Sequence, residues 1–183
     1  MALTLKSQEV GCTVDDFQLQ DIQGGERSLS AFLSGKKGAA VIFWSGVCAH
    51  CIRYDEYLNS FQLRHPGLAL VAVASRNGET PEQIRKTRAQ RGLEFPILHD
   101  AGGAVARQWF TQQTPRAFLI DGDRTLLYRG AIDNYKYPGD PELVEYLEPA
   151  IAQFLSGRPV ARAETASFGC AIQSVYYILP TTL

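Results

Sequence analysis

Two cysteines, Cys48 and Cys51, are separated by Ala49 and His50 in the segment FWSGVCAHC. Two thiols at this spacing share one helical turn, so one can attack a disulfide as a thiolate and the other can resolve the mixed disulfide that forms. A CxxC is equally half of a structural zinc site, which needs two further ligands. The remaining candidates, Cys12, Cys170, His65 and His99, are scattered, with no second CxxC and no HxxxH. The expectation is therefore redox chemistry with no metal and no cofactor. A protonated His50 would stabilise a Cys48 thiolate and poise the pair toward oxidation.

Such a pair needs a strand that hands over to a helix. Gly38–Trp44 (GAAVIFW) is a continuous apolar run, as in a central strand covered on both faces. After it, Ile52, Tyr54, Leu58 and Phe61 lie on one face of a predicted helix over residues 49–65 that stops at Pro66-Gly67. Cys48 then sits at a helix N-terminus, where free N–H groups and the macrodipole favour a thiolate. Trp44 is expected to pack on the redox pair and Trp109 in the core. His65, His99, Asp55 and Glu56 read as surface residues.

The other elements follow from similar signals. Residues 16–20 and 26–29 flank Gln23-Gly24-Gly25 as a hairpin that covers a sheet edge. Leu68–Ala74 is a second buried strand, and Thr80-Pro81-Glu82-Gln83 starts a helix with a capping pattern. A short strand over 95–98 and a brief helix over 102–110 come next. Arg116–Asp121 and residues 125–129 form a hairpin about Asp121-Gly122-Asp123. Asp140-Pro141 opens a last long helix carrying Leu143, Leu147, Ile151 and Leu155, kinked at Pro149. The tail from 158 shows no period before the apolar SVYYIL. Alternating strands and helices followed by a late hairpin imply an α/β fold, a mixed central sheet flanked by helices on both faces.

A length of 183 residues suits one domain, and 18 basic against 19 acidic residues without like-charge blocks argues against nucleic-acid binding. The longest apolar runs are strand-sized, so no membrane span is expected. The opening MALTLKSQEVG has no apolar stretch of secretory length. Two locations stay open: the cytoplasm, or the periplasm or cell envelope if a signal has been removed.

Several short pieces together carry a family resemblance: Asp16-Phe17 with its hairpin, Phe43-Trp44 before the CxxC, Phe95-Pro96 with Asp100, Thr114-Pro115 leading into AFLID, and Tyr128-Arg129-Gly130. Over about residues 11–157 the chain resembles the thioredoxin-like redoxins, which include TlpA- and ResA-type thiol-disulfide oxidoreductases beside alkyl hydroperoxide reductase and related peroxiredoxins. The phrase SFGC at Ser167 to Cys170 resembles a C-terminal signature of some bacterial redoxins. The resemblance implies a thioredoxin-like fold with one inserted strand–helix unit, a redoxin domain over 1–157, and a C-terminal extension over 158–183 packed on it or partly flexible. It implies electron exchange with protein thiols and disulfides. It also implies a cis-Pro115 against the CxxC, which leaves the Thr114 backbone to pair with a substrate chain.

Departures from the family pattern leave other readings open. Ile42 stands where thioredoxin has a buried acid, and Tyr54 where ResA-like proteins have a Glu, so no acceptor for the Cys51 proton is evident. A thiol peroxidase with Cys48 peroxidatic is the first alternative, although Val41 and Ser45 replace the Pro and Thr of that chemistry. A copper-binding protein of the Sco type, which uses CxxxC, is the second. Cys12 and Cys170 are free and buried, bridged to one another, or, for Cys170, in exchange with the active pair.

Overall fold

A computed structural model of the chain describes residues 9–173. The opening residues 1–8 and the apolar SVYYIL of residues 174–179 lie outside the described residues. In chain order the elements are β1 (Gln18–Asp21), β2 (Glu26–Ser28), α1 (Leu29–Leu33), β3 (Gly38–Trp44), α2 (Ala49–Ile52), α3 (Asp55–Asn59), α4 (Phe61–Arg64) and β4 (Leu68–Ala74). They continue with α5 (Pro81–Arg91), β5 (Ile97–His99), α6 (Ala104–Gln108), β6 (Gln113–Thr114), β7 (Arg116–Asp121), β8 (Leu126–Gly130), α7 (Leu147–Leu155) and β9 (Cys170–Ala171).

Seven strands form one sheet in the order β2-β1-β5-β4-β3-β7-β8, with β3, β4 and β5 parallel and the flanking pairs antiparallel. The N-terminal hairpin covers the β5 edge as expected, and β4, α5, β5 and α6 lie between the helices after Cys51 and Pro115. All seven residues of β3 and of β4 are buried, because strands covered on both faces have no solvent side to keep polar. On one face Ala40, Ile42 and Trp44 pack with residues of α2 to α5 and α7. On the other, Ala39, Val41 and Phe43 meet α1 and α6, and Trp109 packs against Phe17, Phe43 and Phe118 with ring centroids 5.2–6.0 Å apart.

Five expectations change. Leu29 starts helix α1 instead of ending a strand, because the Ser28 hydroxyl accepts from Ala31 N at 3.1 Å and caps the turn. The helix over 49–65 is broken twice, at Tyr54 and at Ser60, where the hydroxyl donates back to the Glu56 carbonyl at 2.9 Å. The last helix begins only at Leu147, since Asp140 holds a turn through Glu142 N at 2.9 Å and Leu143 is exposed. Pro149 then falls in the first helical turn, where its missing N–H removes no intrahelical bond and no kink is required. Finally, His65 is not a surface residue: its Nε2 lies 2.9 Å from Glu148 Oε2 and ties α4 to α7.

Beyond α7 the chain turns back along β8. Arg129 N donates to Ala163 O at 2.9 Å, Thr165 N donates to Arg129 O at 3.1 Å, and the Thr165 hydroxyl meets Tyr128 Oη at 2.6 Å. It then crosses to β6, where β9 completes a separate two-stranded ladder.

Candidate redox site

Strand β3 delivers its last residue, Trp44, into a three-residue loop, and Cys48 follows as the N-cap of α2. The loop is gripped at Gly46. Its N–H donates to Glu79 Oε1 at 2.7 Å, and its carbonyl accepts from Arg91 Nη1 at 2.8 Å. Arg91 is itself held by Asp55, with Nε 2.7 Å from Oδ2, and its guanidinium lies over the Trp44 ring. Asp55 is therefore part of a half-buried fork instead of a solvated charge. A side chain at Gly46 would place its Cβ 2.7 Å from Glu79 Oε1, so the close approach calls for glycine. Glu79 is buried, and that burial pushes its carboxyl above the usual range.

The two thiols of the CxxC are unequal. Cys48 is lowered from the ordinary 9.0 to about 4, first by the hydrogen bond from Cys51 and, against the pull of burial, by further bonds from Cys170 and Thr114. Cys51 is pushed strongly upward, by burial first and then by Cys48 beside it. The opposite directions of these shifts make Cys48 the more acidic thiol of the pair. Because α2 is a single turn, these bonds, more than a macrodipole, stabilise the charge. When protonated, Cys48 donates to the Thr114 carbonyl, 3.2 Å from its Sγ.

His50 stands between the two cysteines in the turn of α2. Its ring is exposed and its Nδ1 lies 2.8 Å from Arg53 Nη2, which donates to it. Tyr54 donates to Asp133 Oδ1 at 2.5 Å, and Ile42 is fully buried. Trp44 shares the buried cluster of both cysteines and meets Phe95 edge-on, as expected.

The Thr114-Pro115 bond is cis, as the resemblance implied. Thr114 is not left open, however: it pairs with Cys170 across β6 and β9. Cys12 lies elsewhere, its carbonyl accepting from Leu126 N at the far end of β7 and β8. All four cysteines are free, so the bridge between Cys12 and Cys170 is not formed. Among the described residues no group of three His, Cys, Asp or Glu side chains gathers in a metal-binding arrangement, and no helix is long and apolar enough to cross a membrane.

Residues 10–129 match the model of the AhpC/TSA family. The chain belongs to the AhpC/TSA family. This AhpC/TSA chain is 32% identical over 112 residues to the thiol-disulfide oxidoreductase ResA of Geobacillus kaustophilus, a stretch covering 61% of the chain and 63% of that relative. A solved hypothetical protein of Sinorhizobium meliloti 1021 superposes with a TM-score of 0.80 at 31% identity, over 91% of this chain and 94% of that one. The solved thiol:disulfide interchange protein DsbE of Chlorobium tepidum superposes with a TM-score of 0.64 at 26% identity, over 81% and 99%. The fold of this family member is thioredoxin-like.

Glu79, Arg91 and Asp55 escaped the sequence. Glu79 sits in the polar run RNGETPEQ just before a helix cap, and nothing local separates it from a loop carboxylate in water.

Proposed function

We propose that the protein is a thiol-disulfide oxidoreductase that exchanges electrons with cysteines of partner proteins through Cys48 and Cys51. The observation that carries this reading is the placement of Cys48 as N-cap of α2 with Cys51 in the same turn, both fully buried, and Cys48 Sγ 3.2 Å from the Thr114 carbonyl before cis-Pro115; the opposite shifts of the two thiols agree with it. The Cys48 thiolate attacks one sulfur of a partner disulfide; a new S–S bond forms, the old one breaks, and one partner thiol leaves. Cys48 then carries no charge, which removes one of the influences that keep Cys51 protonated. Cys51 loses its proton, attacks Cys48 Sγ and expels the second partner thiol. The partner is reduced by two electrons and the pair becomes a disulfide; the reverse sequence oxidises a dithiol. The backbone beside cis-Pro115 docks the partner's extended chain. The likeness to ResA and DsbE supports this reading.

Two consequences are testable. A stabilised thiolate favours the reduced form, so the pair's potential lies above the roughly −270 mV of thioredoxin. With dithiothreitol as reductant the protein should catalyse insulin reduction, and Cys51→Ser should retain mixed disulfides through Cys48. Unchanged turnover in Cys51→Ser, or peroxide consumption without disulfide exchange, would reassign the site to peroxidase chemistry at Cys48.

A further inference from the structure

The Cys48 sulfur must be approached in line for exchange, yet Cys48 is 0% exposed. Part of its cover is the chain's own tail. Cys170 and Ala171 pair antiparallel with Thr114 and Gln113, and Ile172 N donates to Gln112 O at 2.9 Å. The Gln113 amide holds Ser167 through its carbonyl and its hydroxyl, the latter at 3.1 Å. Gly169 lies so close to the Thr114 carbonyl that any Cβ there would overlap it. The buried Ile172 anchors one end, while Phe168, 81% exposed, projects into solvent beside the cleft of His50, Tyr54 and Pro115. Cys170 pairs with Thr114, whose carbonyl lies 3.2 Å from Cys48 Sγ, and the Cys48 and Cys170 thiols are near enough to shift one another's acidity.

An extended strand added antiparallel to the Thr114 edge, with a sulfur presented to the nucleophile, is the pose a substrate would need. We propose that residues 167–170 are an internal substrate, in which the tail strand occupies the docking edge and Cys170 exchanges with Cys48 as a third redox cysteine. This rests on the exchange chemistry proposed above. In the oxidised protein the Cys170 thiolate attacks Cys48 Sγ; the Cys48–Cys51 bond breaks and a Cys48–Cys170 bond forms. Cys170 gives its proton to solvent and Cys51 takes one up, so no electrons enter or leave. In the reduced chain, burial and then the adjacent Cys48 charge hold Cys170 protonated, and disulfide formation at Cys48 removes the second influence. An outside partner must lift the short ladder to reach Cys48.

The test uses the full chain. Cys51→Ser is treated with oxidised glutathione, digested with trypsin and examined by mass spectrometry. The proposal expects an intramolecular link between peptides 38–53 and 163–183, lost on adding Cys170→Ser. Cys48 left glutathionylated with 163–183 unlinked would overturn it. In a second arm, Gly169→Ala pushes the strand from its edge, and the rate of Cys48 with oxidised glutathione should rise about tenfold as the open form becomes dominant; an unchanged rate would contradict the proposal. Insulin reduction separates the two readings. A tail link without insulin reduction in either wild type or Gly169→Ala would sustain the tail and sink the oxidoreductase; equal insulin rates with no link would do the opposite.

Discussion

Cys48 is held between two flanks built in different ways. On one flank, Glu79, Arg91 and Asp55 pin both the N–H and the carbonyl of Gly46, with charged partners that are mostly out of water. On the other, a two-residue ladder and one glutamine hold the tail against Thr114, whose carbonyl lies 3.2 Å from Cys48 Sγ. Charge-assisted bonds in a buried setting are strong and leave costly orphans when broken, whereas a short edge ladder opens at the low end of the local-stability scale. The contrast separates two tasks. Under the proposed exchange chemistry, the rigid flank fixes where Cys48 stands and the light flank governs what reaches it.

Substitutions that break the contrast should rank accordingly. Removing the nucleophile with Cys48→Ser should lower insulin reduction by about 10³-fold or more while leaving circular dichroism unchanged. On the rigid flank, Arg91→Ala strands the Asp55 carboxylate and the Gly46 carbonyl and should cost about 2 kcal/mol in urea unfolding. Tyr54→Phe, which deletes the bond to Asp133, should cost about 1 kcal/mol by the same assay. On the light flank, Gly169→Ala should change global stability by no more than roughly 1 kcal/mol. A larger loss there than in Arg91→Ala would reverse the assignment of the two flanks.

Glu79 sharpens the comparison through pH. Its folded carboxyl lies above the unfolded value of 4.5, so its contribution to stability is fully present below that value and is lost as pH rises through the folded one. In the oxidised protein, where Cys48 carries no titrating thiol, stability should fall as pH climbs from 4.5, and Glu79→Gln should flatten that slope. A slope identical in wild type and variant would remove Glu79 from the buried flank.

What could be read from sequence followed range. Strands β3, β4 and β7 were legible to the residue, because an unbroken apolar run bounded by turn residues encodes burial locally. The capping box of Thr80 and Gln83 was legible for the same reason. Helix 49–65 was not, because its apolar spacing persists through two breaks set by single backbone turns at Tyr54 and Ser60. The clamp on Gly46 joins residues more than thirty apart, and the pairing of Thr114 with Cys170 joins residues 56 apart. The SFGC phrase marked the tail as noteworthy, but its contact with Cys48 depends on a path along β8 that no local pattern encodes.

The central claim is that Cys48 stands as a thiolate before any partner arrives. Ultraviolet thiolate absorbance of the reduced chain, titrated downward from neutral pH, tests it most directly. One thiolate should disappear with an inflection near pH 4 and be missing in Cys48→Ser. Absorbance that appears only near the ordinary 9.0, equally in both proteins, would contradict it.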